Sequence, residues 1–354
     1  MLPIPTMAFR SNRSFPEQDE LERLIQRHDA RLRVTVPTRV PNGRLRDPVY
    51  VLEMGSLDPD VPAIGFFGGV HGNERIGTKV VLAYLHTLLE QLRWDAHTQS
   101  LLERVRIVFM PLVNPVGMRL GRRGNGRRVD LMRNAPVESP EAHWLLGGQR
   151  LSRYLPWYRG HADYMEPEAQ AVCDTVSQRL LPHRFALALD CHSGFGARDR
   201  IWFPYARSRA PIPDLAEVFA LRNLFRVGYP HHVMYTIEPQ AAQYSTHGDL
   251  WDYLYDRGRE QADRLFLPLT LEIGSWLWVR KNPIQLFARD GLFNPLVPHR
   301  RRRILRTHLL WFDFLVRAVA GYRAWLPNQD ERDELANQAR HHWPDLERRA
   351  QRRR

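Results

Sequence analysis

Four short and almost wholly apolar runs alternate along this chain with segments of helical periodicity, and this alternation constrains the fold most. The runs occupy residues 61–67, 105–110, 185–189 and 267–273. In residues 75–93, by contrast, apolar side chains recur on one helical face. Strands that are apolar at nearly every position are typical of a parallel sheet buried on both faces. The sequence therefore predicts a single three-layer α/β/α domain with a mixed, mainly parallel sheet.

The two ends of the chain differ from this central part. Residues 1–44 are predicted to hold an N-terminal helix, over 17–33, and a lead-in strand. Residues 45–326 form the main domain, in which we find no repeat or linker. Residues 327–354 are polar and basic, which predicts a mobile tail.

No segment resembles a targeting signal or a membrane span. The N-terminus lacks the apolar core and cleavage site of a secretory signal peptide. The longest apolar runs are far shorter than the ~20 residues that cross a bilayer as a helix. We therefore expect a cytoplasmic protein without a membrane span, and its oligomeric state stays open.

The chain carries a strong excess of arginine. Lys and Arg number 51 against 39 Asp and Glu, a net charge of +12, and only Lys79 and Lys281 are lysines. The arginines are spread along the chain, with dense runs only at residues 300–303 and 349–354. We interpret the charge as solvated basic surface, so no nucleic-acid partner is expected. Steeply salt-dependent DNA binding would favour the alternative.

A possible metal site follows the first of the apolar runs. His71 and Glu74 are three residues apart, so they project the same way once the chain begins to coil. Zinc accepts both donor types, and a catalytic zinc usually takes three protein ligands and a water. His192, just past the run at 185–189, supplies a third ligand. The alternative is a turn histidine beside a glutamate that favours a helix N-terminus.

Glu272 lies inside the apolar run at 267–273. An unpaired buried charge is very costly, so this carboxylate must be paired, protonated or functional. It could pair with a buried arginine. Beside a zinc site, it could instead be a general base.

Residues 114–134 form a segment rich in glycine and proline that contains six arginines. A guanidinium can clamp a carboxylate through two parallel hydrogen bonds. It can also stabilise an oxyanion. A solvated basic loop is the alternative interpretation.

Taken in order, these motifs resemble those of the M14 metallocarboxypeptidases, the carboxypeptidase A-like zinc peptidases, over residues 45–280. The H-x-x-E and D-x-H-S segments match the metal-ligand motifs of that family. The segment R-G-N-G-R-R-V-D-L-M-R-N is similar to its arginine signature. Three further segments are similar to family motifs: Y-R-G with E-P-E at residues 158–168, D-Y-L-Y at 252–255, and T-L-E at 270–272.

The resemblance implies a role for each matched residue. One zinc ion per chain would be held by His71, Glu74 and His192. Glu272 would be the general base and Arg123 the oxyanion-stabilising group, while Asp130 would orient His71 from outside the ligand shell. The implied substrate-binding residues are Arg133, Asn134 and Tyr255, with Tyr253 as an alternative to Tyr255.

The resemblance also implies the reaction, with one departure. The implied activity is a zinc-dependent hydrolase that releases the C-terminal residue of a peptide. Met132, however, stands where the family usually has an asparagine that shares the terminal carboxylate of the substrate. The related succinylglutamate desuccinylase and aspartoacylase branch shares the H-G-N-E start, so deacylation of N-acyl amino acids is an alternative. A non-catalytic binding module on the same fold is a third.

Overall fold

The computed structural model describes residues 15–27, 31–288 and 291–346. Within these ranges the chain builds one sheet of eight strands in the order β1-β2-β4-β3-β5-β8-β6-β7. The strands are β1 (Arg33–Asn42), β2 (Leu45–Gly55), β3 (Ala63–Gly68), β4 (Arg106–Met110), β5 (Phe185–Ser193), β6 (Asp199–Phe203), β7 (Tyr235–Pro239) and β8 (Leu265–Ile273).

The sheet is mixed, with its parallel part at the centre. β4, β3, β5 and β8 are parallel neighbours. β2 pairs antiparallel with β1 and β4, and β6 pairs antiparallel with β8 and parallel with β7. The predicted α/β fold with a mixed, mainly parallel sheet is thus confirmed.

Helices cover both faces of the sheet. They are α1 (Pro16–Gln26), α2 (Arg75–Gln91), α3 (Ala96–Glu103), α4 (Pro115–Leu120), α5 (Pro167–Arg179), α6 (Leu215–Gly228), α7 (Leu250–Gly258), α8 (Trp276–Lys281), α9 (Pro298–Ala320) and α10 (Gln329–His342). Helices α2, α6 and α9 contribute to the apolar core on one face, and α5 and α7 to that on the other.

Successive side chains of the central strands enter these two cores alternately. In β5, Leu187 and Leu189 pack in the core that α2 covers, whereas Ala186 and Ala188 pack in the core that α5 covers. All nine residues of β5 are buried. Burial on both faces explains why the central strands are continuous apolar runs rather than alternating ones.

The N-terminal segment belongs to this same sheet. The predicted helix over residues 17–33 ends earlier, at Gln26, and residues 28–30 lie outside the described ranges. The strand that follows, β1, pairs along its length with β2. A boundary at residue 44 therefore falls between two paired strands.

The C-terminal segment differs from the mobile tail that the sequence suggests. Asn328 caps α10 with a capping box that includes Glu331. Ala339, Trp343 and Leu346 are buried in the core that α10 shares with α6. The polar composition of the segment led to the prediction of a mobile tail, although these few apolar residues recur at helical spacing. The arginine-rich end, residues 347–354, lies outside the described residues.

No helix within the described ranges is both long and apolar enough to cross a bilayer. Cys173 and Cys191 are buried and unbridged.

Trp343 provides a test of the packed C-terminal segment. Its ring lies 4.8 Å from Phe203 and 5.7 Å from Phe219, and its Nε1 donates a hydrogen bond to the Ile237 carbonyl. We expect Trp343→Ala to lower the free energy of unfolding by about 3–5 kcal/mol, measured by denaturant titration. Exposed Asp333→Ala is the control, with a change below about 0.5 kcal/mol. Equal stability of the two variants would show that the segment is not packed.

Candidate active site

The carboxyl ends of three neighbouring parallel strands carry the predicted metal and catalytic residues. His71 follows β3, while His192 lies near the end of β5, directly opposite Glu272 of β8 in the strand register. Side chains that follow adjacent parallel strands meet at one sheet edge. A cavity of about 540 Å³ opens there and is lined by all three residues.

The turn between β3 and α2 brings Glu74 beside His71. It is tightly packed, because a Cβ on Gly72 would lie 2.1 Å from the backbone of Gly117. Asn114 secures it from the other side: its Nδ2 donates to the Val70 carbonyl while its Oδ1 accepts from the Gly117 N–H. Glycine at position 72 is thus required by close backbone approach.

The three predicted metal ligands converge. The Nδ1 atom of His71 lies 2.9 Å from Glu74 Oε1, and Nδ1 of His192 lies 3.0 Å from Glu74 Oε2. The two Nδ1 atoms are 3.1 Å apart. Ligand atoms that surround a tetrahedral zinc at about 2.0–2.1 Å are separated by roughly 3.3 Å. The donor set and its spacing therefore fit a zinc ion.

Each histidine is held by a carboxylate on its far side. His71 Nε2 lies 3.0 Å from Asp130 Oδ1, and His192 Nε2 lies 2.7 Å from Asp190 Oδ2. Trp251 donates a further hydrogen bond to Asp190. Such partners fix the ring orientation of metal-binding histidines. The predicted position of Asp130 agrees with this arrangement. The equivalent partner of His192, Asp190, was not predicted. Its position two residues before His192 in the same strand places both side chains on one face of the sheet and could have indicated this contact.

Burial and charge set the ionisation of the carboxylates. Burial, reinforced by the Glu74 carboxylate, raises the pKa of Glu272 to about 8. The Phe195 N–H donates a 2.9 Å hydrogen bond to Glu272 Oε1. Burial alone would raise the pKa of Asp130, but Arg123 and Arg133 hold it well below its ordinary value. The two guanidinium groups thus favour the ionised form of Asp130, whereas burial and the neighbouring Glu74 carboxylate disfavour ionisation of Glu272.

Two predicted arginines line the cavity. Arg123 donates through Nε to Asp130 (2.9 Å) and through one terminal nitrogen to Glu74 (3.1 Å). Arg133 is buried and donates to Asp130 (2.7 Å) and to the Gly147 carbonyl (3.3 Å). Met132 lines the cavity beside Arg133. Both guanidinium groups are fixed at the cavity wall by the carboxylate that also orients His71.

Asn134 and Tyr255 do not lie where a substrate-binding role requires. Both polar atoms of the Asn134 side chain bond to backbone, Nδ2 to the Arg159 carbonyl and Oδ1 to the Glu166 N–H. Tyr255 is fully buried, and its hydroxyl donates to Asp214. Neither lines the cavity. Both instead stabilise the surrounding structure.

Tyr244 is the cavity tyrosine that sequence reasoning missed. It lies in the loop before α7, and its ring packs 5.6 Å from Phe195 and 5.7 Å from Trp202. Among the described residues, none forms a hydrogen bond with its hydroxyl. The helical spacing of Trp251, Leu254 and Tyr255 was the signal that Tyr255 belongs to a buried helix face.

The carboxylate behind His192 can be tested through metal affinity. Asp190→Asn keeps the shape but loses the charge that orients the imidazole, so we expect zinc affinity to fall about 10- to 100-fold. Competition with a chromophoric chelator measures this. Exposed Asp163→Asn is the matched control. Unchanged affinity in Asp190→Asn would contradict the role of this residue.

The sequence profile of the zinc carboxypeptidase family, Peptidase M14, matches residues 18–275. Carboxypeptidase SOL1 of Arabidopsis thaliana is 24% identical over 311 residues, 82% of this chain and 57% of that protein. Carboxypeptidase D of Mus musculus is 30% identical over 173 residues, 49% of this chain and 11% of that protein. This chain therefore spans little more than half the length of the first relative and far less of the second.

Solved structures share the fold. Carboxypeptidase A from Helicoverpa armigera superposes with a TM-score of 0.59 at 18% identity, over 86% of this chain and 71% of that chain. The structure of thrombin-activatable fibrinolysis inhibitor superposes with a TM-score of 0.61 at 19% identity, over 86% and 75% of the two chains. Since the family profile covers well over half of its length, this chain belongs to the zinc carboxypeptidase family M14.

Proposed function

We propose that this chain is a zinc-dependent carboxypeptidase that hydrolyses the last peptide bond of a peptide substrate. The observation that supports this most is that groups suited to every part of that reaction face one cavity. They are the candidate ligands His71, Glu74 and His192, the buried carboxylate Glu272, and the guanidinium groups of Arg123 and Arg133.

The proposed metal complement is one zinc ion per chain, held by His71, Glu74 and His192. When bound, zinc lowers the pKa of a water to about 7 and acts as a Lewis acid toward a carbonyl. The chain supplies the geometry for this chemistry. Asp130 and Asp190 hold the two imidazoles with their Nδ1 atoms toward Glu74.

Glu272 is the proposed general base. Its Oε1 accepts from the Phe195 N–H, which fixes the carboxylate at the cavity wall opposite His192. From there it would take the proton of the attacking water and deliver it to the leaving amine. A general base that is positioned in this way typically contributes 10²- to 10⁴-fold in rate.

Arg123 is the proposed oxyanion-stabilising group. Two of its nitrogens are held by Asp130 and Glu74. The rest of the guanidinium would donate to the carbonyl oxygen as negative charge develops on it. Removing one such fixed donor usually costs about 3–4 kcal/mol of transition-state stabilisation.

Arg133 is the proposed clamp for the C-terminal carboxylate of the substrate. Its burial and its bonds to Asp130 and Gly147 hold the guanidinium rigidly at the cavity. Tyr244 replaces Tyr255 as the candidate tyrosine in contact with substrate. Met132 offers no hydrogen bond beside Arg133, an observation that keeps deacylation of N-acyl amino acids as the second candidate function. The cytoplasmic location stays a prediction.

Glu272→Gln separates metal binding from turnover. Glutamine cannot accept the proton of water, so we expect kcat to fall by about 10²–10⁴ while zinc affinity stays within about twofold. Activity on an unblocked peptide and chelator competition measure the two quantities. Exposed Glu103→Gln is the control. Full activity of Glu272→Gln would show that Glu272 is not the general base. If the parent protein bound zinc but hydrolysed no peptide, a non-catalytic binding module would be favoured instead.

A comparison of peptides with free and with amidated C-termini tests the role of Arg133. A charge-assisted bidentate pair contributes about 2–3 kcal/mol, so kcat/KM should be roughly 30- to 150-fold higher for a free peptide than for its C-terminally amidated form. Arg133→Met should remove most of this difference. Equal cleavage of both peptides by the parent would exclude the clamp, and faster cleavage of N-acyl amino acids than of peptides would favour the deacylase.

Tyr244 and Tyr255 form a matched pair for testing the reassigned tyrosine. Tyr244→Phe should raise KM or lower kcat, because it removes a hydroxyl at the cavity wall, and should leave stability nearly unchanged. Tyr255→Phe should leave kcat/KM within about twofold but lower the free energy of unfolding by about 1–3 kcal/mol, since Asp214 loses a buried partner. The opposite pattern in enzyme assays and denaturant titrations would restore Tyr255.

A further inference from the structure

Helix α2 begins at the metal site without a cap of its own. Glu74 occupies its N-cap position, but the Glu74 side chain makes no capping hydrogen bond. Instead, its carboxylate faces His71 and His192. An N-cap side chain normally accepts from the N–H of the second or third helical residue, which otherwise lacks an intrahelical partner. The use of Glu74 as a candidate ligand therefore leaves this helix end to be satisfied from elsewhere.

Asn294 supplies the missing cap from a distant part of the chain. Its Oδ1 accepts a 2.9 Å hydrogen bond from the N–H of Ile76, the second residue of α2. Its Nδ2 donates a 2.8 Å hydrogen bond to the Asn73 carbonyl. The carboxamide thus holds the backbone on both sides of Glu74. Asn294 is only 9% exposed and lies beyond residues 18–275, the part that matches the family profile.

The residue before Asn294 contacts the other ligand-bearing strand. The Phe293 carbonyl accepts a 2.8 Å hydrogen bond from the Ser193 hydroxyl, directly after His192. The Phe293 ring covers Gly194, where a Cβ would lie 2.5 Å from the ring. Ser193 also donates its N–H to Glu74 (3.0 Å). Residues 293 and 294 therefore join the turn that carries Glu74 to the end of β5.

The surrounding segment holds Asn294 in place. Gln285, which is 1% exposed, donates from its Nε2 to the Asn294 carbonyl at 2.9 Å and to the Gly291 carbonyl. Neighbouring side chains of the same segment, such as Ile284 and Phe287, are exposed instead. Gln285 is thus buried together with Asn294 and holds it from the side opposite α2.

We infer that Asn294 is a positioning residue that caps α2 in place of Glu74 and so keeps the Glu74 carboxylate turned toward His71 and His192. This inference rests on the proposed metal-dependent function. Without the Asn294 oxygen, the Ile76 N–H would lack this partner, and the side chain of Glu74, which occupies the N-cap position of the same helix, could accept from it instead. Such a turn of Glu74 would withdraw a ligand from the metal.

Variants of Asn294 test this inference through metal binding. Asn294→Leu removes both hydrogen bonds at similar size, and we expect zinc affinity in chelator competition to fall about 10- to 100-fold. The visible absorption of the Co²⁺-substituted protein, which depends on ligand number and geometry, should change as well. Asn294→Asp keeps an acceptor for the Ile76 N–H at a helix N-terminus, where negative charge is favourable. It should recover at least threefold of the affinity lost in Asn294→Leu.

Trp343→Ala is the control for a general loss of stability, because Trp343 packs on Phe203 and Phe219 in the α6 layer. Its zinc affinity should stay within about twofold of the parent value at a temperature where it is folded. Parent-like zinc affinity and Co²⁺ absorption in Asn294→Leu would overturn the inference, as would equal losses in Asn294→Leu and Asn294→Asp. If the parent chain bound no zinc, the proposed function itself would fail.

Discussion

The parallel pairing of β3, β5 and β8 is the constraint on which the rest of the site depends. Because these strands are neighbours and run the same way, their carboxyl ends lie at one edge of the sheet. The register of β5 with β8 sets His192 opposite Glu272, and the turn after β3 adds His71 and Glu74. A slip of one residue between β5 and β8 would turn one of these side chains to the other face of the sheet. The burial of apolar side chains on both faces therefore also fixes the geometry of the reactive groups.

Hydrogen bonds that satisfy buried polar groups also orient the site. Asp130 accepts from Arg123 and Arg133 and contacts His71, so one carboxylate holds a candidate ligand and the two guanidinium groups proposed to stabilise the oxyanion and to clamp the substrate carboxylate. Asp190 orients His192 as Asp130 orients His71. Buried polar groups without partners are costly, so the loss of one member leaves its neighbours unsatisfied and less firmly held. The site is consequently one connected unit. A substitution of a residue that holds a candidate ligand is expected to change the orientation of that ligand.

The sequence was informative where a role depends on local pattern. Continuous apolar strands predicted a sheet buried on both faces, and His71, Glu74, His192 and Glu272 were predicted as site residues because they lie near or soon after the ends of such strands. Roles that depend on which face of an element is buried were harder to predict. Tyr255 fits a motif but lies on the buried side of α7, whereas Tyr244 reaches the cavity from an irregular loop. Asn294 contacts Ile76 across 218 residues, and no local pattern in the sequence indicates that contact. The packing of α10 through a few apolar residues was hidden in the same way by its polar composition.

Anomalous diffraction at the zinc absorption edge, on crystals of the full chain grown with one equivalent of zinc, tests the central claim most directly. We expect one strong anomalous peak per chain, about 2.0–2.1 Å from Nδ1 of His71, Nδ1 of His192 and the carboxylate of Glu74. That position would agree with the arrangement in which Asp130 and Asp190 hold the opposite ring nitrogens. The absence of a peak among these three residues, or ligation through Nε2 of either histidine, would contradict it.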